Sequence, residues 1–470
     1  MTDRIALVTG ASGYIGAQLV PALLDDGWQV RVLARTPGRL DASWRDRVDV
    51  VEGDAADPRD MARALTGVQV AYYLLHSMDG RGDYRSRDRT LASVFAREAG
   101  EAGVGRLVYL SGLHPAGKLS EHLASRVEVG EILSGSGVPT AVLQAGVVLG
   151  TGSASFDMLR HLTERLPVAV GPRWLRNRIQ PIAIDDVVHY LVRAATLDPG
   201  ISRTIDIGMD EQLTYLEMMR RYARLTGLGP RLVGTVPVLT PRLASRWVGF
   251  VTPVPKGIAR PLVGSLIHDA VTRDDDARTL LGDPPGGPAG FDEAVRRATA
   301  SVDPKRWGRT LAGVSASVAA CALAGSLLSD PGSAWYRGLR KPSWQPPAAA
   351  FPVVWSTLYG LIAIASTAAS TDLEEAGKTT DAAAFRRALA VNLTLNAAWS
   401  GLFFRAHRPR LAAVGAAALA ASSADLARRG AQAGPGKGIA LGAYATWCGF
   451  ATLLSVEIAR LNPGRRGGMR

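Results

Sequence analysis

The stretch VTGASGYIG, Val8–Gly16, places three glycines directly after a short apolar strand and at the start of a helix. Gly10, Gly13 and Gly16 at this spacing let the chain turn tightly and bring its backbone close to a pyrophosphate. The N-terminus of the following helix then points its unpaired N–H groups at the negative charge of the phosphates. The stretch therefore predicts a dinucleotide site formed by the loop residues Gly10, Ser12, Gly13, Tyr14, Ile15 and Gly16.

The end of the second strand indicates which nicotinamide cofactor binds. An acidic residue there would bond the ribose 2′-hydroxyl of NAD, but this chain reads LARTPGR and offers Arg35, and secondarily Arg39, to a 2′-phosphate. We therefore expect NADP rather than NAD, the alternative being that both arginines are solvated loop charges. Asp54 ends the third strand, where it could bond the adenine, although an Asp at this position is also a common turn former.

Through about residue 300, short apolar stretches alternate with amphipathic helical ones. The apolar stretches read RIALVTG, WQVRVLAR, VDVVEGD, VQVAYYLLH, GRLVYLSG and PTAVLQAG. This alternation is typical of an α/β Rossmann-like, doubly wound parallel sheet. A Pro/Gly-rich loop at Leu280–Gly290 and a last polar helix at Phe291–Ala300 end the region. We therefore predict an NAD(P)-binding domain at residues 1–304 and a second domain at residues 305–470.

The second domain has the composition of a membrane bundle. It holds 19 basic and 7 acidic residues, which is the whole +12 excess of the chain, and the charges collect at the ends of apolar runs. Such charges flank membrane spans rather than bind nucleic acid. Five runs approach the roughly 20 residues that a spanning helix needs, and a soluble bundle with Ala-rich helices is the alternative. The runs are Leu311–Leu328, Phe351–Ser370, Ala388–Phe404, Leu411–Leu426 and Ile439–Leu461.

The two cysteines, Cys321 and Cys448, both fall inside these apolar runs. They are too few for a disulfide framework, and we expect no metal site. We also expect residues 1–304 in the cytoplasm, because NADP is a cytoplasmic cofactor and the first residues lack the pattern of a signal peptide. Together these expectations describe a multi-pass protein of the cell membrane.

The first domain resembles the atypical extended short-chain dehydrogenase/reductase family, close to its NmrA-like members, over about residues 4–300. The motifs that carry the resemblance are TGASGYIG, GD at the third strand, YLSG at the fifth and QPIAIDDVVHYL. In that family a Ser closes the fifth strand and a Tyr-x-x-x-Lys pair follows on a helix, where the Tyr transfers the proton and the Lys lowers its pKa. The resemblance implies that Ser111 is the catalytic serine.

The Tyr-x-x-x-Lys pair is replaced in this chain. Eleven residues after Ser111 the sequence reads HLASR, so that His122 and Arg126 lie one helical turn apart on one face. Histidine titrates near neutrality and could act as general acid or base beside the permanent charge of Arg126. The alternative is that both residues pair with solvent or with Glu121. The substitution leaves three roles open. The domain could be a modified reductase or a redox sensor that couples NADPH to the binding or transport of a ligand by the second domain. It could instead be an enzyme with a lipid or quinone-like substrate that uses the second domain only as an anchor.

The stretch WYRGLRKPSWQPPAAAFPVVW, Trp335–Trp355, lies between the first and second apolar runs. Within it, Pro342, Pro346 and Pro347 fix the backbone and remove N–H donors, so the part that reads KPSWQPP cannot be helical and should form a stiff loop at the membrane surface. Such a loop could be a lid over a site, or an interfacial anchor built from aromatic side chains.

Aromatic and amide side chains recur at helical spacing in the later runs, at Trp355/Tyr359, at Asn392/Asn396/Trp399/Phe403 and at Tyr444/Trp447. Amides at membrane depth need partners, so these stripes should face the bundle interior. They describe either a pocket for a large, flat, mostly apolar ligand or a plain packing core.

The motifs WYRGLRKPSWQPP, FPVVWSTLY, LNAAWSGLFF and YATWCGFATLLSVEIARLN, taken together, resemble the TspO/MBR family over about residues 306–462. The resemblance implies five transmembrane helices, a possible homodimer in contact with membrane lipid, and a ligand that is a porphyrin, a haem-like tetrapyrrole or, in some members, a sterol. Two positions differ from the family, Asn392 for Gln and Ser455 for Asn, which puts a sterol ligand in doubt. The pocket residues that the resemblance implies are Trp335, Trp344, Trp355, Tyr359, Asn396, Trp399 and Trp447.

Overall fold

The computed structural model describes residues 4–76, 84–115, 117, 119–236, 248–249 and 251–463 of the chain. The chain separates into two compact units, Met1–Pro304 and Lys305–Arg470. The first unit is an α/β domain and the second consists of helices.

The centre of the first unit is a seven-stranded sheet in which every pair of neighbours is parallel. The strand order is β11-β6-β5-β4-β1-β2-β3. Successive strands are therefore added first on one side of β1 and then, from β4 onward, on its other side, and doubly wound folds bind dinucleotides at this switch point between β1 and β4. The six predicted strands and the doubly wound fold are confirmed, and β11 is an addition. The sheet strands are β1 (Ile5–Thr9), β2 (Gln29–Ala34), β3 (Asp49–Glu52), β4 (Val70–Tyr73), β5 (Arg106–Gly112), β6 (Thr140–Ala145) and β11 (Arg203–Ile207).

Helices cover both faces of this sheet, and two of them begin at side-chain caps. Asp57 accepts a hydrogen bond from the backbone N–H of Arg59 at the start of α2, and Ser120 accepts one from Leu123 at the start of α4. These caps satisfy N–H groups that a helix start leaves unpaired. The first helices are α1 (Tyr14–Asp25), α2 (Pro58–Leu65), α3 (Tyr84–Glu101), α4 (Glu121–Ser134), α5 (Ala154–Arg165) and α6 (Ile184–Ala194).

The later part of the unit forms a smaller lobe around its own apolar cluster, which includes Phe156, Tyr215 and Phe291. Three two-stranded sheets organise it, pairing β7 with β10, β9 with β12 and β8 with β13. The lobe contributes one wall of the cavity described below. Its strands and helices are β7 (Val148–Leu149), β8 (Val168–Pro172), β9 (Arg178–Ile179), β10 (Ile182–Ala183), β12 (Leu213–Thr214), β13 (Leu232–Val236), α7 (Tyr215–Leu225), α8 (Lys256–Ser265), α9 (Asp276–Leu281) and α10 (Phe291–Thr299).

Five long helices form the second unit, as predicted. A single helical turn, α12 (Ala334–Arg337), follows the first long helix, and residues 338–349 contain no regular helix, in agreement with the predicted proline-locked loop. The third long helix continues as a π-helical segment, Gly401–Arg405. The long helices are α11 (Arg306–Leu328), α13 (Ala350–Glu375), α14 (Thr379–Ser400), α15 (Pro409–Gln432) and α16 (Pro435–Leu461).

Within the described residues, four of these helices, α11, α13, α15 and α16, are long and apolar enough to cross a membrane. The helix α14 is not among them. Its first half carries Asp381, Arg386 and Arg387, which lower its mean hydropathy. The predicted third span, Ala388–Phe404, therefore corresponds to the apolar second half of a helix that begins nine residues earlier, at Thr379.

Small side chains bring α15 and α16 close together. A Cβ atom at Gly438 would lie 2.7 Å from the Cβ of Ala431, and one at Gly430 would lie 2.7 Å from a methyl carbon of Leu441. Membrane helices that approach closely use Gly and Ala at such contacts. Small residues at the end of α15 therefore allow its close packing against α16.

Candidate functional site

The glycine loop follows β1 and leaves no room for side chains at two of its glycines. Gly10 has a φ of 76°, and a Cβ there would lie 2.6 Å from the carbonyl oxygen of Leu74, just beyond β4. A Cβ at Gly16 would lie 2.5 Å from the carbonyl oxygen of Gly10. The loop therefore lies close to the sheet between the ends of β1 and β4. Gly13 is the N-cap residue of α1. This cradle fits the pyrophosphate of a nicotinamide dinucleotide.

The other loop residues have separate positions. Ser12 is exposed at the turn, whereas Ile15 points its side chain into the cavity described below. The ring of Tyr14 packs against the loop after β7, because a Cβ at Gly152 would lie 3.7 Å from one of its ring carbons. Burial raises the pKa of Tyr14, and Asp157 raises it further. At Tyr14, the backbone N–H rather than the phenol is therefore the group available to a phosphate.

Arg35 follows β2 directly, and its side chain is exposed, as is that of Arg39. Neither makes an ion pair within the part of the chain that the structure describes, which leaves both available to an anion. Asp54 instead accepts a hydrogen bond of 3.0 Å from the backbone N–H of Ala56 through Oδ1. That contact is the local turn anticipated as the alternative to adenine binding.

A cavity of about 210 Å³ opens at the carboxyl ends of β5 and β6. Ile15 connects it to the glycine loop, and α4, α5, α7 and α8 contribute to its other walls. Most of its lining is apolar, including Leu123, Met158 and Leu262. Its polar side chains are few, as is usual for a small-molecule site, and they are Ser111, His122, Arg126, Ser155, Tyr215 and Ser265.

The structure thus brings together the three predicted catalytic residues. Ser111 lies near the end of β5 and is 3% exposed. Arg126 donates a hydrogen bond from Nη2 to the carbonyl oxygen of Leu110, and its guanidinium lies 5.8 Å from the centre of the Tyr109 ring. These contacts fix a positive charge beside Ser111 and His122, which share the cavity wall with it.

The environment of His122 overturns one expectation. Burial, with smaller contributions from the charge of Arg126 and from His76, lowers the pKa of His122 to about 3, while Asp88 opposes the change. His122 is therefore neutral at physiological pH, and the expected ionisation near neutrality is wrong. A neutral imidazole still donates from one ring nitrogen and accepts at the other.

Sequence reasoning missed the two residues behind His122. The ring centres of His76 and His122 lie 4.9 Å apart, and His76 Nδ1 lies 3.4 Å from a carboxylate oxygen of Asp88. Ser125 donates a hydrogen bond of 3.2 Å to the same oxygen of Asp88. His76 ends the VQVAYYLLH stretch, so its place at the carboxyl edge of the sheet could have indicated it. Asp88 gave no comparable signal.

In the second unit, the predicted ligand residues fall into two neighbouring clusters. Trp335 and Trp399 pack with Phe403, Trp399 in a stacked arrangement with ring centres 5.4 Å apart. Trp355, Tyr359 and Trp447 pack around the helix core with Tyr444. Trp344 contacts Phe450 and remains 48% exposed.

Three of these tryptophans bury an indole N–H that has no hydrogen-bond partner among the described residues: Trp335, Trp399 and Trp447. A buried donor without a partner costs about 1–3 kcal/mol. An acceptor group on a bound molecule would remove that cost.

Residues 313–461 match the TspO/MBR family. The chain is 35% identical to the translocator protein of Sus scrofa over 136 residues. The matched region is 29% of this chain and 79% of that protein. The C-terminal region belongs to the TspO/MBR family. This TspO domain and its apolar helices make the chain a membrane protein.

Residues 10–133 match a family described as NAD(P)H-binding. Ceramide reductase from Caulobacter vibrioides is 29% identical over 233 residues, 49% of this chain and 73% of that protein. The triphenylmethane reductase of Citrobacter sp. has the same fold, with a TM-score of 0.51 at 16% identity over 63% of this chain and 99% of that chain. The chain therefore joins an NAD(P)H-binding, reductase-like domain to a TspO domain.

The TspO domain accommodates its unusual Asn392 in a hydrogen-bond chain that crosses four helices. Asn392 donates to Ser423 at 3.0 Å and accepts from the hydroxyl of Tyr444 at 3.0 Å. Asn396 donates to Tyr444 at 2.9 Å and accepts from Tyr359 at 3.2 Å. Both amides thus have the partners that burial requires. Asn396 and Tyr359 are engaged with each other rather than left open to a ligand.

Proposed function

We propose that this protein is a membrane-bound NADPH-dependent reductase that acts on an apolar carbonyl compound. The observation that carries the proposal is the largely apolar cavity that adjoins the glycine loop and holds Ser111, His122 and Arg126 on one wall. A bound nicotinamide cofactor would supply a hydride at this point. The cavity provides what the chain must add, which is a place for the carbonyl carbon and polar groups for its oxygen.

Three polar side chains of the cavity act on the carbonyl oxygen. The hydroxyl of Ser111 and an N–H of His122 donate hydrogen bonds to it, and the positive charge of Arg126 favours the negative charge that develops there. His122 then gives its proton to the alkoxide. This assignment keeps the role of Ser111 that the family resemblance implies and gives His122 the place of the missing Tyr.

The walls indicate the substrate class. Leu113, Leu123, Val147 and Leu262 offer no hydrogen bonds, so they favour an alkyl or aromatic substituent next to the carbonyl group. The similarity to ceramide reductase, whose name denotes a lipid substrate, supports a lipid-like carbonyl compound. We assign NADPH rather than NADH because Arg35 lies at the end of β2 with an exposed side chain.

For the TspO domain we propose a tetrapyrrole ligand that carries carboxylate groups. The buried indole N–H groups of Trp335, Trp399 and Trp447 favour it, because a carboxylate is a strong acceptor and a flat macrocycle stacks on aromatic rings. We place residues 1–304 in the cytoplasm, where NADPH is available. The two activities are separate proposals, and either stands without the other.

The test uses the whole protein purified in detergent. Long-chain aldehydes and ketones are added with NADPH, and the loss of NADPH absorbance is followed together with formation of the alcohol. We expect turnover with apolar carbonyl compounds and a loss of about 100-fold or more in Ser111→Ala and His122→Ala. Tight NADPH binding without turnover on any of these compounds would favour a redox sensor instead.

A further inference from the structure

A row of polar side chains runs from the cavity into the interior of the first unit. It begins at His122, continues to His76 at a ring distance of 4.9 Å and ends at Asp88, 3.4 Å from His76 Nδ1. His122 lines the cavity, whereas His76 and Asp88 lie behind it. The row therefore connects the site of proton transfer to groups that do not touch the substrate.

Three elements that are distant in sequence build this row. His76 follows β4, Asp88 lies on α3, and His122 and Ser125 lie on α4. Asp88 is 3% exposed, and a buried carboxylate is costly unless it is paired or hydrogen-bonded. Ser125 and His76 provide those contacts.

The geometry defines the tautomer of His76. A carboxylate accepts and does not donate, so His76 carries its hydrogen on Nδ1, facing Asp88. Its Nε2 is buried and has no hydrogen-bond partner among the described residues. A carboxylate that orients one imidazole, with a free nitrogen on the far side, is the arrangement by which buried acids position catalytic histidines.

We propose that His76, oriented by Asp88, is a positioning residue that fixes the tautomer of His122 and returns a proton to it during carbonyl reduction. This inference rests on the proposed reductase function. It explains how the chain transfers a proton without the Tyr-x-x-x-Lys pair, since two histidines in contact can pass a proton along the row.

The hydride, with its electron pair, forms a bond to the carbonyl carbon, and the π electrons of the C=O bond move onto the oxygen. One nitrogen of His122 releases its proton to that oxygen while its other nitrogen accepts the Nε2 proton of a His76 ring that is protonated on both nitrogens and paired with Asp88. His76 is left neutral, with its hydrogen on Nδ1 facing Asp88, and a proton from water restores the doubly protonated ring before the next turnover. His122 exchanges one tautomer for the other and never becomes an imidazolate or an imidazolium.

The electrostatics agree with this exchange. Burial lowers the pKa of His76, and Arg126 lowers it further, while Asp88 opposes the change. The charged groups that act on the pair are Asp88 on α3 and Arg126 on α4. Tyr73 on β4 and Tyr109 on β5 interact with Asp88 in turn. Both histidines therefore stay mainly neutral at physiological pH. The fraction of molecules in which His76 carries a second proton increases as the pH falls.

The test compares wild-type protein with His76→Gln and Asp88→Asn, each as the full chain in detergent, using NADPH and a long-chain ketone. We expect kcat to fall roughly 10- to 100-fold in His76→Gln, with the KM for the ketone and the Kd for NADPH within about twofold of wild type. The rise of kcat at lower pH should disappear in the same variant. His189→Gln, which removes a histidine that contacts Gly282 outside the cavity, is the matched control.

A second measurement does not depend on activity. The ring-nitrogen NMR shifts of labelled histidine should show one tautomer for His122 in the wild type and a mixture of tautomers in His76→Gln and Asp88→Asn. A His76→Gln protein with normal kcat, a normal pH profile and a single His122 tautomer would overturn the inference and leave the reductase function intact. A wild-type protein that reduces no carbonyl compound would overturn the reductase function, and the inference with it.

Discussion

The imidazole rings of His76 and His122 lie 4.9 Å apart, with their planes tilted by 52°. At that distance two imidazolium ions would repel each other strongly, and burial removes most of the water that would screen them. The guanidinium of Arg126 adds a third positive group to the same place. The surroundings of the pair therefore favour the neutral form of both rings. In this respect the pair differs from a single catalytic histidine that gains and loses its charge near neutral pH.

This arrangement predicts a loss of stability in acid. The unfolded chain protonates His122 below about pH 6.5, while the folded chain protonates it only near pH 3. Between these values the unfolded state holds the extra proton, so this contribution is present above about pH 6.5 and is lost as the pH falls toward 3.

The measurement is urea unfolding of the wild type and of His122→Gln across this range. The free energy of unfolding of the first unit should fall less steeply in the variant, by up to about 1.4 kcal/mol per pH unit. His189→Gln should keep the wild-type slope. Identical slopes in His122→Gln and wild type would show that His122 titrates normally.

Arg35 should determine the choice between NADPH and NADH. Its exposed guanidinium is available to the 2′-phosphate, and a hydrogen bond to a charged group contributes about 1.5–3 kcal/mol. In Arg35→Asp we expect NADPH to bind roughly 10- to 100-fold more weakly and NADH to bind about as before. Titration of both cofactors measures this. Arg59→Asp, at another exposed arginine of the same domain, should change neither affinity, and an unaltered ratio in Arg35→Asp would remove Arg35 from the site.

The buried indole of Trp399 should contribute a hydrogen bond to a tetrapyrrole ligand. Trp399→Phe keeps a ring that can stack on Phe403 but removes the N–H. We expect about tenfold weaker binding of a porphyrin with free carboxylates, measured by fluorescence quenching, and a smaller effect on its methyl ester. Trp307→Phe, at the start of α11, is the control. Equal affinity of Trp399→Phe and wild type would leave the aromatic cluster a packing core.

The orientation in the membrane can be measured by cysteine labelling on intact cells. In a background without Cys321 and Cys448, an impermeant thiol reagent should label Gly332→Cys, which precedes the proline-rich loop, and should not label Ser43→Cys in the first unit. Both positions are exposed. The expected pattern follows if the first unit lies in the cytoplasm, as proposed above, and α11 crosses the membrane once. Labelling of Ser43→Cys would reverse the orientation.

Much of the first unit could be predicted because its central strands are continuous apolar runs. All four residues of β4, Val70–Tyr73, are buried, as expected for a parallel strand covered on both faces. The strand β11 was missed because it reads RTIDI, with polar residues at two of its central positions. Its Asp206 is buried against Arg273, which lies 67 residues away, and no local pattern reveals that ion pair.

The same distinction holds at the site. The sequence could predict His122 and Arg126 because both lie on one helix, and it could predict the glycine loop because its spacing is local. The sequence could not show that burial lowers the pKa of His122, or that Asp88 lies against His76, because both depend on how α3 and α4 pack at the edge of the sheet.

Direct detection of hydride transfer tests the central claim most sharply. The full chain is incubated with a long-chain ketone and NADPH that carries deuterium at the transferable position of its nicotinamide ring, and the alcohol is analysed by mass spectrometry. We expect deuterium on the carbinol carbon, formed much more slowly by His122→Ala and not at all by Gly13→Leu, whose side chain would occupy the pyrophosphate cradle. Alcohol without deuterium, or no alcohol from a protein that binds NADPH, would contradict that claim.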